Sequence, residues 1–499
     1  MTDTTTTLRY AEADTVTGRV RGFWRGEPGD GGSAAFLGIP FAQPPVGELR
    51  FAAPVPAEPW QGVRDALDYG ATAQRGDPGV TLIPEPSVPG EATLNVNVFT
   101  PVPGETDAAL PVLVWIHGGG YFAGSPASPW YDGRAFNRDG VVTVTISYRL
   151  GFDGFGWIED APSNRGIRDW LLALEWVQAN IAQFGGDPSR VTIAGQSAGG
   201  GAVLTLLGMP AAQHLFHSVW ALSAATADVA PATCERIGRD VAARLDVAPT
   251  RAGLSTVGEE RIIAAQKAAT EVSGSDGVTR LLEDGLTLGP AIDGDLITRP
   301  TLESIAAGVG ADKPLVLGAT EDEFSMVVSG AANKLRWIPL SLLLGKSGLK
   351  GAQRRAYLAA NQDVVARGHA AVLGRYITDR MFRTFVVKAA TARGAAPTWV
   401  YRYAFRSTQP GMVHDAAVHC IDVPFWFDCL DSPIGIDALT GPNPPQSLAD
   451  QTHGAAVALI ADGEPGWPAW SGAPGTTRVF GGATPGVDPD GYAAVASLL

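Results

Sequence analysis

From residue 191 the chain runs Val191-Thr-Ile-Ala194, then Gly195-Gln-Ser-Ala-Gly199, then an apolar stretch to about Leu207. A β-branched strand that passes straight into a helix through a corner of small residues leaves few folds open. The turn is so sharp that the central residue, Ser197, is forced into strained backbone angles, and its neighbours must be tiny to avoid a clash. The same turn lifts the Ser197 hydroxyl to a helix N-terminus, where free N–H groups favour developing negative charge. With 61 glycines in 499 residues, Gly-x-Ser-x-Gly can arise by chance. Here it occurs once, between a predicted strand and a predicted helix, which is the context the motif requires.

The flanking pattern extends that context. Pro111-Val-Leu-Val-Trp-Ile116 and Val141 to Ile146 are short, continuously apolar runs, as expected of strands buried on both faces of a parallel sheet. Ile167, Leu171, Leu174, Val177 and Ile181 recur at helical spacing, and Phe184-Gly-Gly-Asp-Pro188 ends that helix. Val219 to Leu222 and Leu315 to Leu317 read as further strands. Strands alternating with helices predict an α/β protein, a mostly parallel central sheet with helices on both faces. Segments 228–310 and 325–395 are mainly helical in pattern and are expected to be insertions capping the sheet, leaving residues 1–499 as one domain.

His117-Gly118-Gly119-Gly120 follows the strand ending at Ile116, about 80 residues before the serine. Glycines there bring backbone N–H groups close to a substrate oxygen with no side chain between. Gly119 and Gly120, with the N–H of Ala198, are the candidate donors of an oxyanion hole, where losing one donor typically costs about 3–4 kcal/mol of transition-state stabilisation. No Gly-x-Gly-x-x-Gly completes in this run, so a dinucleotide site is not expected. Gly345-Lys346-Ser347 fails as a phosphate loop because the first glycine it needs is Leu340.

Composition narrows the partners. A formal net charge of −14 repels phosphate backbones and anionic headgroups, which argues against nucleic acid and membrane surfaces. No apolar run approaches the ~20 residues of a membrane helix, and the first residues lack the basic and apolar regions of a secretory signal. Cys234, Cys420 and Cys429 leave an odd thiol and do not sit at zinc-site spacing, and the histidines His117, His214, His217, His369 and His453 form no metal-like pattern. The expectation is a cytoplasmic protein with no metal and no cofactor; oligomeric state is left open.

Taken together, the motifs resemble the type-B carboxylesterase family, which includes bacterial para-nitrobenzyl esterases. The resemblance spans nearly the whole chain. It is carried by Gly38-Ile-Pro-Phe-Ala-Gln-Pro-Pro-Val-Gly47, Trp115-Ile-His-Gly-Gly-Gly-Tyr121, Ser147-Tyr-Arg-Leu-Gly151, Phe184-Gly-Gly-Asp-Pro188 and Gly195-Gln-Ser-Ala-Gly-Gly200. Gln196 before the serine, with Val418-His-Cys-Ile-Asp-Val-Pro-Phe425, is most similar to the phenmedipham (aryl carbamate) hydrolase branch. The resemblance implies an α/β-hydrolase fold with helical cap insertions and a triad in the chain order serine, acid, histidine. It selects Glu323 in Gly318-Ala-Thr-Glu-Asp-Glu323 as the acid and His419 as the base, over His414 five residues earlier. Phe324 stands where the family has glycine, so Glu321 and Asp322 remain alternatives to Glu323. Two further departures are Thr93, in place of a half-cystine common in secreted relatives, and Gln196, in place of a more frequent Glu.

The resemblance implies a serine carboxylesterase hydrolysing small apolar or aromatic esters through an acyl-enzyme. The alternatives are aryl carbamate hydrolysis by the same triad and, from another class, a catalytically inactive binding module. Phe324, Phe425, Trp426 and Phe427 neighbour the expected acid and base and are candidates to line a substrate pocket.

Overall fold

The computed structural model describes residues 9–29, 31–79, 82–270, 285–472 and 475–499. Among the described residues thirteen strands form one sheet. They are β1 (Tyr10–Thr15), β2 (Gly18–Arg25), β3 (Ser33–Pro40), β4 (Val63–Asp65), β5 (Asn95–Thr100), β6 (Leu110–Ile116), β7 (Val142–Ile146), β8 (Gly186–Gln196), β9 (Ser218–Leu222), β10 (Leu315–Thr320), β11 (Thr398–Tyr403), β12 (Thr477–Phe480) and β13 (Gly486–Asp488). Their order is β1-β2-β3-β5-β7-β6-β8-β9-β10-β11-β12-β13, with β4 beside β2. From β7 to β12 every pairing is parallel, whereas β1, β2, β3 and β5 pair antiparallel.

The apolar runs become strands because helices cover both faces, so alternate residues have separate cores to enter. In β6, Val112, Val114 and Ile116 join one core with Trp170, Leu174 and Val177 of α1 (Arg165–Asn180). That core also holds Ala202, Leu204 and Leu206 of α2 (Ala198–Leu207). Leu113 and Trp115 point the other way, into a second core with Leu448, Leu459 and Ile460 of the helix Gln446–Asp462.

Within the two segments read as mainly helical, helices alternate with irregular stretches, among them residues 285–300. The first contains α3 (Pro231–Leu245), Arg251–Ser255, α4 (Glu259–Thr270) and Thr301–Ala306; residues 271–284 of it lie outside the described residues. The second runs through short helices between Met326 and Ala366 to α5 (His369–Thr378), a π-helical turn at Asp379–Arg383 and α6 (Thr384–Ala392).

Two particulars differ from expectation. Strand β8 begins at Gly186, five residues before Val191, because Gly186 pairs with Leu110 across a register shift. The four antiparallel strands before β6 have no counterpart in the sequence-based pattern.

Order and direction of the strands fix where chemistry can occur. The connection from β6 leads to β7 on one side, while β8 pairs on the other, so the order reverses between β6 and β8. In open α/β sheets, ligands sit beyond the carboxyl ends of strands at such a switch point. The two segments leaving there are His117-Gly118-Gly119-Gly120 and Ser197.

Candidate active site

Ser197 adopts φ 59° and ψ −120° between β8 and α2, outside the ordinary regions for a side-chain-bearing residue. The small neighbours are required by contact. A Cβ added to Gly199 would fall 2.0 Å from the Ile116 carbonyl oxygen, and one on Gly195 would fall 2.5 Å from the Gly199 carbonyl group. Helix α2 therefore lies directly on the ends of β6 and β8, and all ten of its residues are buried.

The glycine loop after β6 is held in a conformation of its own. Gly119 has φ 97° and Gly120 φ 62°. A Cβ on Gly119 would meet the Ala123 carbonyl oxygen at 2.2 Å. The Gly119 carbonyl accepts from the N–H groups of Phe122 and Ala123. Among the described residues, the N–H groups of Gly119 and Gly120 have no acceptor. That of Ala198, at the first helical position, has no intrahelical one. His117, stacked on Tyr148 at 4.5 Å, is buried, and burial pushes its pKa down to about 4, so it is a neutral prop of the loop.

Two loops bring Glu323 and His419 together from 96 residues apart. Glu323, fully buried three residues beyond β10, takes the Thr320 N–H on Oε1 at 2.8 Å and faces His419 Nδ1 with Oε2. The backbone doubles the link, with the His419 N–H donating to the Glu323 carbonyl at 2.9 Å. The neighbouring acids are engaged elsewhere. Asp322 accepts from Arg367 at 3.1 Å, Arg375 at 3.2 Å and the Ala417 N–H at 3.2 Å. Burial raises the Asp322 pKa, but Arg375 and Arg367 more than reverse it, leaving it below the ordinary value. Glu321 pairs with Arg375, Arg402 and Arg406. His414, the rival histidine, is exposed, whereas His419 is 6% exposed.

His419 Nε2 faces the side-chain Nε2 of Gln196 at 3.1 Å. The Ser197 hydroxyl makes no hydrogen bond among the described residues. It lies next to this pair all the same: a Cβ on Gly118 would be 3.2 Å from both Ser197 Cβ and Gln196 Oε1. Apo active sites commonly hold nucleophile and base in looser contact than the reacting complex does.

The four aromatic candidates divide. Phe324 is partly buried and lies 5.0 Å from the His419 ring. Phe425, Trp426 and Phe427 are at most 1% exposed and pack with Trp115, Tyr131 and Phe136 in the second core. A short helix at Val423–Trp426 turns these three inward, so they form the floor under the histidine loop. Phe382, which the sequence did not single out, lies beside the imidazole: its ring is 5.3 Å from His419 and 5.3 Å from Phe324. It sits on the π-helical turn, a feature often found at functional sites, and sequence periodicity gives no sign of such a turn.

Among the described residues no group of three or more His, Cys, Asp or Glu could hold a metal, and the three cysteines are unpaired. No helix of the described residues is long and apolar enough to cross a membrane.

Comparison with known proteins agrees with this geometry. The profile of the carboxylesterase family matches residues 9–434. The para-nitrobenzyl esterase of Bacillus subtilis (strain 168) is 34% identical over 423 residues, covering 81% of each chain. The phenmedipham hydrolase of Pseudarthrobacter oxydans is 33% identical over 457 residues, covering 87% of each. Among solved structures, a PNB esterase superposes with a TM-score of 0.79 at 27% identity, covering 98% of this chain and 100% of the other. A carboxylesterase of Geobacillus stearothermophilus does so with a TM-score of 0.79 at 28% identity and the same coverage. With a sheet of this order, a serine at its switch point and these relatives, the chain belongs to the carboxylesterase family and is a carboxylic ester hydrolase of the α/β-hydrolase fold.

Proposed function

We infer that the protein cleaves small apolar or aromatic carboxylic esters through an acyl-enzyme on Ser197, with His419 as base and Glu323 as its orienting acid. The observation that carries this assignment is the Glu323–His419 pair set beside a serine in a left-handed elbow.

The chemistry follows from the proton positions. With Nδ1 directed at the Glu323 carboxylate, a neutral His419 keeps its lone pair on Nε2. Ser197 Oγ attacks the ester carbonyl carbon as its proton passes to that nitrogen, and Glu323 stabilises the imidazolium that forms. The carbonyl oxygen, now an oxyanion, is met by the N–H groups of Gly119, Gly120 and Ala198, which bear no competing acceptors. Collapse of the tetrahedral species breaks the bond to the alkoxide, which leaves with the proton from His419. Water, deprotonated by the same base, then releases the acid. Phe324 and Phe382, edge to face beside the imidazole, are suited to flat apolar groups, and they take over the pocket role expected of Phe425, Trp426 and Phe427. The three free thiols fit a cytoplasmic protein.

The test is Ser197→Ala assayed on para-nitrophenyl acetate. Less than about 1% of wild-type kcat is expected; retention of more removes Ser197 as nucleophile. Aryl carbamate hydrolysis is the second reading, favoured by the 87% mutual coverage with a phenmedipham hydrolase. An aryl carbamate with kcat/KM above that of para-nitrophenyl acetate would establish it as the preferred substrate class.

A further inference from the structure

Gln196 is the last residue of β8, and its side chain is 1% exposed. The 3.1 Å contact between its Nε2 and His419 Nε2 is directional. Because Nδ1 faces a carboxylate, the proton of the neutral imidazole belongs there, and Nε2 carries a lone pair. Only a donor can approach that lone pair, so the carboxamide presents its N–H, and its oxygen turns toward Gly118. Gln196 is thus lodged between the glycine loop, the nucleophile and the base.

The surroundings of the imidazole are rich in acids. Glu323 comes from the loop after β10. Asp422, three residues past His419, accepts from the Tyr401 hydroxyl at 3.2 Å, and its Oδ1 has no partner among the described residues. Glu85 accepts from the Tyr131 hydroxyl at 2.7 Å on the same side of the sheet. Asp322 is engaged by Arg367 and Arg375, and Asp379 behind Phe382 by Arg383. Burial pushes both Asp422 and Glu85 up to about 7, which shows how poorly this interior accommodates negative charge. A carboxylate at position 196 would set one more anion against the nitrogen that has to remain unprotonated.

We propose that Gln196 is a positioning residue for the base: as an uncharged donor to the Nε2 lone pair, it keeps His419 in its proton-accepting form to lower pH than a carboxylate at position 196 would allow. A hydrogen bond made to the neutral form disfavours protonation, and an anion at the same distance favours it. In the reacting complex the Ser197 O–H takes the place of the amide N–H on the one lone pair. The proposal rests on the assignment of Ser197, His419 and Glu323 made above.

The experiment is the pH profile of kcat/KM on para-nitrophenyl acetate for the full chain, wild type beside Gln196→Glu, Gln196→Met and Ser197→Ala. Rates are normalised to active sites counted by the para-nitrophenol burst, so incompletely folded protein does not enter. The acid limb is expected to move upward by about one pH unit or more in Gln196→Glu. It should move the same way by roughly half a unit in Gln196→Met, which removes the donor without adding charge. A limb that stays within about 0.2 unit of wild type in both variants, or that moves downward in either, overturns the proposal, since a side chain that only fills space would leave it fixed. Activity in Ser197→Ala would instead overturn the triad on which it rests, so the two failures are distinguishable.

Discussion

Ser197, at φ 59°, and Gly119, at φ 97°, both have the backbone in the positive-φ region, and they stand at the ends of β8 and β6. Strain at Ser197 raises its hydroxyl clear of the helix. The left-handed Gly119 turns its N–H away from the loop's own acceptors. A methyl group at 119 has nowhere to go, since it would lie 2.2 Å from a backbone oxygen and at φ 97°. Gly119→Ala is therefore expected to displace the loop and lower kcat by about 10²–10³-fold, the usual effect of losing one oxyanion donor. Steady-state kinetics check this, and a variant within about threefold of wild type would mean that this loop does not hold the oxyanion. The same residue scale shows what a sequence can convey. The flanks of Ser197 are legible because contact with β6 excludes any Cβ there. The role of Phe382 is not, because it depends on a π-helical turn that no apolar spacing announces.

The loops after β10 and around His419 behave as one element. Three consecutive acids leave β10, and only the third reaches His419: Glu321 is bound by Arg375, Arg402 and Arg406, Asp322 by Arg367, the shared Arg375 and the Ala417 N–H, and Glu323 by His419. The choice among them could not be read from the loop itself, since it is made by arginines 45 or more residues away, at Arg367, Arg375, Arg402 and Arg406, and by the backbone of the histidine loop. Asp422 belongs to this element as a buried carboxyl with one orphan oxygen. Burial, then the nearby Glu323 charge, raise its pKa to about 7, against ~3.9 in an unfolded chain. Between those values the unfolded state has released a proton that the folded state keeps, so this group's contribution to stability falls as pH rises. Asp422→Asn, which retains an acceptor for Tyr401, should thus gain in Tm over wild type as pH rises from 5 to 8. Thermal unfolding at the two values checks it, and a difference that does not change with pH would contradict the assigned burial cost.

Across the whole molecule, the parallel half of the sheet was legible because its strands are buried on both faces and announce themselves as unbroken apolar runs. Strands β1, β2, β3 and β5 were not, since they pair antiparallel toward one margin of the sheet, where in β1 Tyr10 is exposed and burial alternates. The burial of Phe425, Trp426 and Phe427 in the second core was not legible for a related reason: adjacency to His419 in sequence says nothing about which way a one-turn helix rotates its side chains. The molecule gathers its site from β6, β8, β10 and a loop beyond β11, so residues 119, 197, 323 and 419 meet only when the sheet has its full order. That convergence on one serine is the central claim, and covalent labelling tests it most directly. The intact protein is treated with diethyl para-nitrophenyl phosphate and mapped by peptide mass spectrometry. One diethylphosphoryl group per chain, on Ser197, with activity lost in proportion to labelling, is the predicted result. Full inactivation with the group on another residue, or full activity with Ser197 labelled, would contradict it.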